Sequence, residues 1–251
     1  MVSMKVTLIT TCFNRAATIG RTIESVLGQD YPDIEYIVVD GASSDGSLEV
    51  IRRYQGIAQI VSEPDNGMYE AINKGLRMAT GDIVGLVHSD DVLYDSHTVT
   101  AVVEAIMRSG ADLLYGDGLY MRGDRVVRNW QGGPFRQWKV RMGWLPLHTT
   151  CYMRREALQR VGMYDQRYRI AADTDMLLRF LMVHRLSVTY LHRYLVRMEM
   201  GGLSTDSKRR VEMWHEDLAI FRTYGLPAVP MKLMKMAWKI PQFIRALWKK
   251  A

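Results

Sequence analysis

The chain has 251 residues, 48% apolar and 24% charged, which supplies a sizeable core and excludes a disordered, fibrous or disulfide-framed protein. Its formal charge of +6 is carried by Lys232, Lys235, Lys239, Arg245, Lys249 and Lys250, because no acid follows residue 227 and the preceding residues balance to zero. A nucleic-acid binder would show its basic footprint on the folded body, so this distribution argues against that class.

Residues 5–11 are short, β-branched and strand-like, and Ile19, Ile23, Val26 and Leu27 then give residues 17–27 a helical period. Residues 34–39 form a second apolar strand ending at Asp40, followed by the polar loop Gly41-Ala42-Ser43-Ser44-Asp45-Gly46 and a helix through Leu48, Val50, Ile51 and Tyr54. A third strand over 59–62 meets the turn Pro64-Asp65-Asn66-Gly67, a helix over 69–79 stops at Thr80-Gly81, and residues 83–88 form a fourth strand. Continuous apolar strands alternating with helices predict a mainly parallel α/β sheet covered on both faces. The second half is more irregular. It reads as a short strand over 113–115, a hairpin of 119–121 and 125–127 around Arg122-Gly123-Asp124, a loop-rich run to Pro146, a strand over 149–153 and a helix over 173–183. The two cysteines, Cys12 and Cys151, do not require a disulfide, and a reducing compartment is expected. No eighteen consecutive apolar residues and no leader-like N-terminus occur, so neither export nor membrane spanning is expected.

Ligands of open α/β sheets sit beyond the carboxyl ends of the strands. Four such ends are polar here: Thr10-Thr11-Cys12-Phe13-Asn14-Arg15, Asp40, Glu63-Pro64-Asp65-Asn66-Gly67 and His88-Ser89-Asp90-Asp91. One strand-end Asp is ordinarily a helix cap, whereas four converging ends point to a ligand site. No Gly-x-Gly-x-x-Gly follows the first strand and no Gly-x-x-x-x-Gly-Lys-Ser/Thr occurs, which counts against dinucleotide oxidoreductases and P-loop NTPases. The adjacent acids Asp90 and Asp91 suit a hard divalent cation shared with phosphate oxygens, a solvated turn being the plain alternative. Asp173 opens a helix whose apolar stripe is Met176, Leu177, Phe180 and Leu181, and simple capping is the alternative to a chemical role. Asp175 and Arg179, four apart, read as an ion pair.

In the order and spacing of Thr11-x-x-Asn14, Val39-Asp40-Gly41-Ala42-Ser43-Ser44-Asp45-Gly46, Asp65-x-Gly67-x-Tyr69-x-Ala71-x-Asn73-x-Gly75, Gly81-Asp82, Ser89-Asp90-Asp91 and Ala172-Asp173-x-Asp175-x-x-x-Arg179, the chain resembles family 2 glycosyltransferases of the GT-A fold. The resemblance implies a Rossmann-like, mainly parallel mixed sheet flanked by helices over residues 1–205, with a C-terminal helical extension over 206–251. It implies inverting transfer of a sugar from a nucleotide diphosphate, uridine by default, to an acceptor hydroxyl on a lipid-linked glycan of surface-polysaccharide synthesis. By the same resemblance Asp173 is the catalytic base, and Thr11, Asn14, Asp40, Asp65 and Asp90 bind the nucleotide. Asp91, with His148 as a second candidate, binds Mn2+ or Mg2+. The chain departs from the family pattern twice: Asp40-Gly41-Ala42-Ser43 stands for Asp-Asp-Gly-Ser, and Ala172 stands where an acid often precedes the base. His192 and the segment Gly201-Gly202-Leu203-Ser204 are candidates to close over the donor, a plain turn being the alternative.

Over residues 228–251, Leu233, Met236, Ala237, Ile240, Ile244, Leu247 and Trp248 recur at helical spacing with Lys232, Lys235, Lys239 and Arg245 elsewhere on the wheel, and Pro241 interrupts the run. A basic amphipathic segment suits an anionic leaflet, here the cytoplasmic face of the plasma membrane. Packing on the domain or on a second subunit of a homo-oligomer is the alternative. The tail is expected to lie apart from the catalytic machinery. Two rival functions are a catalytically silent nucleotide-sugar-binding scaffold and a sugar nucleotidyltransferase, whose Gly-rich phosphate loop is missing from residues 10–15.

Overall fold

In the computed structural model, which describes residues 4–200 and 209–249, the chain opens with β1 (Val6–Cys12), α1 (Ile19–Leu27), β2 (Ile34–Asp40), α2 (Ser47–Ile51), β3 (Gln59–Ser62), α3 (Met68–Met78) and β4 (Ile83–Leu86). Then come β5 (Asp91–Leu93), α4 (Thr98–Ser109), β6 (Leu113–Arg122), β7 (Arg125–Trp130) and α5 (Gln137–Val140), and a 3-10 turn at His148–Thr150. They are followed by β8 (Tyr152–Arg154), α6 (Arg155–Val161), α7 (Ala172–Leu178) with a π-helical turn over Arg179–Val183, β9 (Val188–Glu199), α8 (Arg210–Thr223), α9 (Ala228–Ala237) and α10 (Ile240–Ala246).

Among the described residues one sheet runs β3-β2-β1-β4-β8-β6-β9-β5, with β7 paired to β6. The first four strands are parallel, and β8 is antiparallel to both β4 and β6. Every residue of β1 is buried and all but the first of β2, which is why these strands read as unbroken apolar runs. The second half departs from its sequence pattern. The segments around residues 113–115 and 119–121 belong to one strand, β6, in which Gly116 and Gly118 interrupt the apolar run. β9 has no apolar run to announce it; a half-buried, polar-rich segment becomes a strand because β6 and β5 pair with its two edges.

The C-terminal helices correct the expectation of a separate tail. Asp217 on α8 is fully buried, and its carboxylate accepts Lys232 Nζ at 2.5 Å and Lys235 Nζ at 2.7 Å, both from α9. Burial acts to raise the Asp217 pKa, but the charges of Lys235 and Lys232 outweigh it and hold the carboxyl below its ordinary range. Gly143, at φ 75°, lies against the α9 backbone; a Cβ there would stand 2.6 Å from the Met231 carbonyl oxygen, so glycine permits the approach. Arg128 Nε on β7 donates to Gln242 Oε1 on α10 at 2.6 Å. Lys232 is therefore only 4% exposed, while Leu233, Met236, Ile240, Ile244, Leu247 and Trp248 face outward. The tail is amphipathic in the inverted sense, with Lys232 and Lys235 inward and most of its hydrocarbon stripe outward, Arg245 alone among its described cations being exposed. Among the described residues no helix is long and apolar enough to cross a membrane, and Cys12 and Cys151 are buried and unpaired.

Replacing Asp217 with Ala leaves two lysines without their counter-charge and should lower unfolding free energy by about 3–5 kcal/mol, the usual loss on breaking a buried pair. Because the folded Asp217 pKa is depressed, its stabilisation is complete above the unfolded value of about 3.9 and is lost as pH falls through the lower folded value. Urea denaturation of wild type and Asp217→Ala should therefore differ at neutral pH and converge in strong acid.

Candidate functional site

A cavity of about 790 Å³ lies beyond the carboxyl ends of β1, β3 and β4, a size usual for small-molecule sites. Thr11, Asn14, Asp65, Asp90, Asp91, His148 and Asp173 all line it. Asp40 does not. It is fully buried and accepts Ser43 N at 3.0 Å, Ser43 Oγ at 2.5 Å and Ser62 Oγ at 2.7 Å. Ser43 Oγ in turn accepts the Asn14 amide at 2.8 Å, and Asn14, held at φ 52°, accepts Ser44 N through Oδ1 at 2.9 Å. Asp40 thus ties the loops after β1 and β2 together and positions Asn14 at one remove. Gly41 serves closeness too: a Cβ would stand 2.5 Å from Asp65 Oδ2. Asp65 is drawn in so far that burial raises its pKa. His192 is exposed, stacks on Tyr190 at 5.9 Å and does not line the cavity, and Gly201-Gly202-Leu203-Ser204 lie outside the described residues.

The Asp90-Asp91 turn is anchored to α1, where Thr18 Oγ1 donates to the Ser89 carbonyl at 2.9 Å and Thr22 Oγ1 to the Asp91 carbonyl at 2.8 Å. Asp91 is 2% exposed, and its Oδ2 has no hydrogen-bond partner among the described residues. Burial, and then the charge of Asp90, push its carboxyl well above the usual range. A buried carboxylate oxygen without a donor is costly, and a hard divalent cation is the partner its chemistry fits. Among the described residues no cluster of three or more His, Cys, Asp or Glu side chains holds a metal by itself. The remaining coordination would therefore fall to substrate oxygens and water, as is usual for Mg2+.

His148 is buried in the wall of the same cavity, with Nε2 2.6 Å from the Tyr164 hydroxyl and its ring stacked 6.4 Å from His88. Burial lowers its pKa to about 4, so it is a neutral imidazole near pH 7. With Nε2 engaged, Nδ1 is the ring nitrogen left for another contact. Tyr164 also stacks on Tyr69 at 5.6 Å, and its backbone is held at both ends by Asn73.

Asp173 lies in the first turn of α7; Ala171 holds the N-cap position and makes no side-chain cap bond, while Asp173 Oδ1 accepts the Thr174 amide at 2.8 Å. Two residues hold the segment leading to it. Glu216 on α8 accepts the amides of Arg169, Ile170 and Ala171 at 2.7, 2.9 and 2.8 Å, and Tyr69 donates its hydroxyl to the Ile170 carbonyl at 2.8 Å. Tyr69 belongs to a recognisable motif, whereas no local pattern marks Glu216. The expected Asp175–Arg179 ion pair forms, Nε to Oδ2 at 2.9 Å.

The family described as Glycosyl transferase family 2 matches residues 7–167. The chain belongs to that family. A PGL/p-HBAD biosynthesis glycosyltransferase of Mycobacterium bovis is 31% identical over 203 residues, 78% of each chain. S. aureus TarS 1-349, in complex with UDP-GlcNAc, superposes with a TM-score of 0.70 at 17% identity, over 97% of this chain and 80% of that one. The mannosyltransferase PcManGT from Pyrobaculum calidifontis, in complex with GDP-Man and Mn2+, gives 0.68 at 20% identity, over 98% and 74%. These likenesses establish the GT-A fold.

In this family 2 glycosyltransferase the family match ends before Asp173, and much of the cavity wall lies beyond it. Lys235, Trp238, Lys239 and Gln242 from the tail line the cavity, and Lys235 Nζ donates to Thr174 Oγ1, next to Asp173, at 2.7 Å. Glu216 connects the same extension to the Asp173 segment. Hydrogen bonds to a charged group contribute about 1.5–3 kcal/mol each, so Glu216→Ala should speed amide exchange at residues 169–171 at least about tenfold. Peptide-resolved hydrogen exchange reads this directly, and β1 should keep its protection.

Proposed function

We propose that the protein is an inverting, metal-dependent glycosyltransferase that moves a sugar from a nucleotide diphosphate, uridine by default, to an acceptor hydroxyl. The observation that carries the reading is the pairing, in one cavity, of a buried Asp91 oxygen lacking any donor among the described residues with the carboxylate of Asp173. Solved proteins of similar fold that hold UDP-GlcNAc, or GDP-Man with Mn2+, support the donor class and the cation. Thr11, Asn14 and Asp65 receive the nucleoside, Asp90 the ribose, and Asp91 holds Mn2+ or Mg2+ with the diphosphate oxygens; His148 is the second candidate there. A cation so held supplies charge neutralisation for the departing diphosphate. Asp173 accepts the proton of the acceptor hydroxyl as it attacks the anomeric carbon, with Glu216 and Tyr69 fixing its backbone.

The test uses two variants and a binding readout separate from turnover. Asp173→Asn should leave donor affinity in place and lower turnover by about 10²–10⁴-fold, the usual contribution of a general base. Asp91→Ala should abolish the part of UDP affinity that depends on Mn2+, measured by calorimetry with and without the ion. An Asp91→Ala protein that binds UDP and Mn2+ as wild type does would sink the assignment.

We propose further that the acceptor is lipid-linked and that α9 and α10 rest on an anionic leaflet. Leu247 and Trp248 are 72% and 77% exposed with exposed Arg245 close by, the combination of hydrocarbon and cation that such a surface attracts. Deleting the tail would also open the cavity and expose Asp217, so point substitutions are cleaner. Ile240→Ser/Leu247→Ser/Trp248→Ser should lose flotation with phosphatidylglycerol vesicles at an unchanged melting temperature. Wild-type binding should weaken with salt, since the attraction decays over about 8–10 Å near physiological ionic strength. Flotation retained in the triple variant would refute membrane docking through this face.

A further inference from the structure

The cavity has a second charged end that the donor chemistry leaves unused. Asp91 on β5 stands opposite Met198 on β9, Met198 opposite Tyr120 on β6, and Tyr120 opposite Arg128 on β7. Directly opposed residues share one face of a sheet, and all four line the cavity. At about 4.8 Å per strand, this ladder separates the Asp91 and Arg128 backbones by roughly 14 Å. Met198 and Tyr120 stand between the two, so Arg128 faces the cavity from a different strand than the donor-side acids.

Around Arg128 the free charges are positive. Its guanidinium lies 4.4 Å over the Tyr120 ring with Nε donated to Gln242, and no carboxylate pairs with it among the described residues. Lys239, half-buried between α9 and α10, likewise has no hydrogen-bond or ion-pair partner for its ammonium among the described residues. Burial, and then the charges of Arg128, Lys235 and Lys232, push its pKa down to about 8. Asp217, the acid that partly offsets them, is already taken by Lys232 and Lys235. Like charges gathered on a partly dehydrated wall repel one another, and an anion between them relieves both the repulsion and the desolvation.

We infer that Arg128 and Lys239, with Lys235 behind them, form a second anion subsite that takes a phosphate or diphosphate group of the acceptor. This rests on the glycosyltransferase reading and specifies its acceptor class. Lys235 also contacts Thr174 beside Asp173, so an acceptor anchored by its phosphate has its hydroxyls within reach of the base. Leu233, Ile240 and Ile244 of the same two helices are exposed outside the cavity, apolar surface for an alkyl chain that leaves it.

Geranyl phosphate and inorganic phosphate are the probes, titrated into the full chain by calorimetry with and without saturating UDP and Mn2+. Geranyl phosphate should bind in both conditions and more tightly than inorganic phosphate. Arg128→Gln/Lys239→Gln should weaken it by about tenfold or more, as expected for loss of charge-assisted contacts, while UDP affinity moves by less than about twofold. Lys239→Arg keeps the charge and should retain binding, and equal melting temperatures show that each variant is folded. Displacement of geranyl phosphate by UDP with Mn2+ would give these cations to the donor instead and overturn the inference. So would unchanged affinity in the double variant, absence of binding, or inorganic phosphate binding as tightly as its geranyl ester. Failure of the glycosyltransferase reading shows separately, as absent UDP binding or full turnover by Asp173→Asn, and neither alters phosphate affinity at Lys239.

Discussion

A carboxylate with no access to water must find positive charge within the protein, and Asp217 finds it in Lys232 and Lys235. That match holds α9 against α8 and directs the cationic stripe of the tail inward, where Lys235 reaches Thr174 and Lys239 joins the cavity wall. The same helix α8 presents Glu216 to the three amides that precede α7. One helix beyond the family-matched segment therefore both closes the cavity and holds the backbone that carries Asp173.

The cavity is electrostatically divided. At the β3 and β4 ends stand Asp65, Asp90 and Asp91, the last with an oxygen lacking a donor among the described residues; on the β7 side stand Arg128 and Lys239, with no carboxylate partner among the described residues. No ion pair joins the two ends among the described residues, so each keeps an unmet charge. Such unmet charges are costly in a folded protein and acquire a purpose when a ligand supplies the complement, because dipoles and charges held in place need no reorganisation on binding. Between the ends, Tyr69, Tyr164, His148 and His88 form a packed aromatic row. It keeps His148 neutral by burial and gives the Asp173 segment a rigid support through the Tyr69 hydroxyl.

The first half of the fold is legible because its information is local. Strands buried on both faces must be apolar throughout, helices between them must be amphipathic, and polar residues at the strand ends have no packing reason to gather there. Asp65, Asp90 and Asp91 follow from that logic, whereas Asp173, in the second half, is marked by its place at a helix start and by the family resemblance. Asp40 shows its limit: a strand-end acid that binds a ligand and one that knots two loops together have the same sequence context, and what separates them is where Ser43 and Ser62 arrive in space. β9 is hidden for a related reason, since its burial is partial and its strand conformation comes from the neighbours that pair with it.

For the tail, the sequence by itself determined an amphipathic helical segment, broken near Pro241, with lysines on one side and hydrocarbon on the other. Which side is buried is a different kind of fact. Hydrocarbon inward is the ordinary arrangement, but here the burial of Asp217 on another helix requires positive charge on the inner face, and the apolar stripe is turned out. The period is written in the side chains of the segment; its orientation depends on a charge carried elsewhere in the chain, and only the tertiary structure brings the two together.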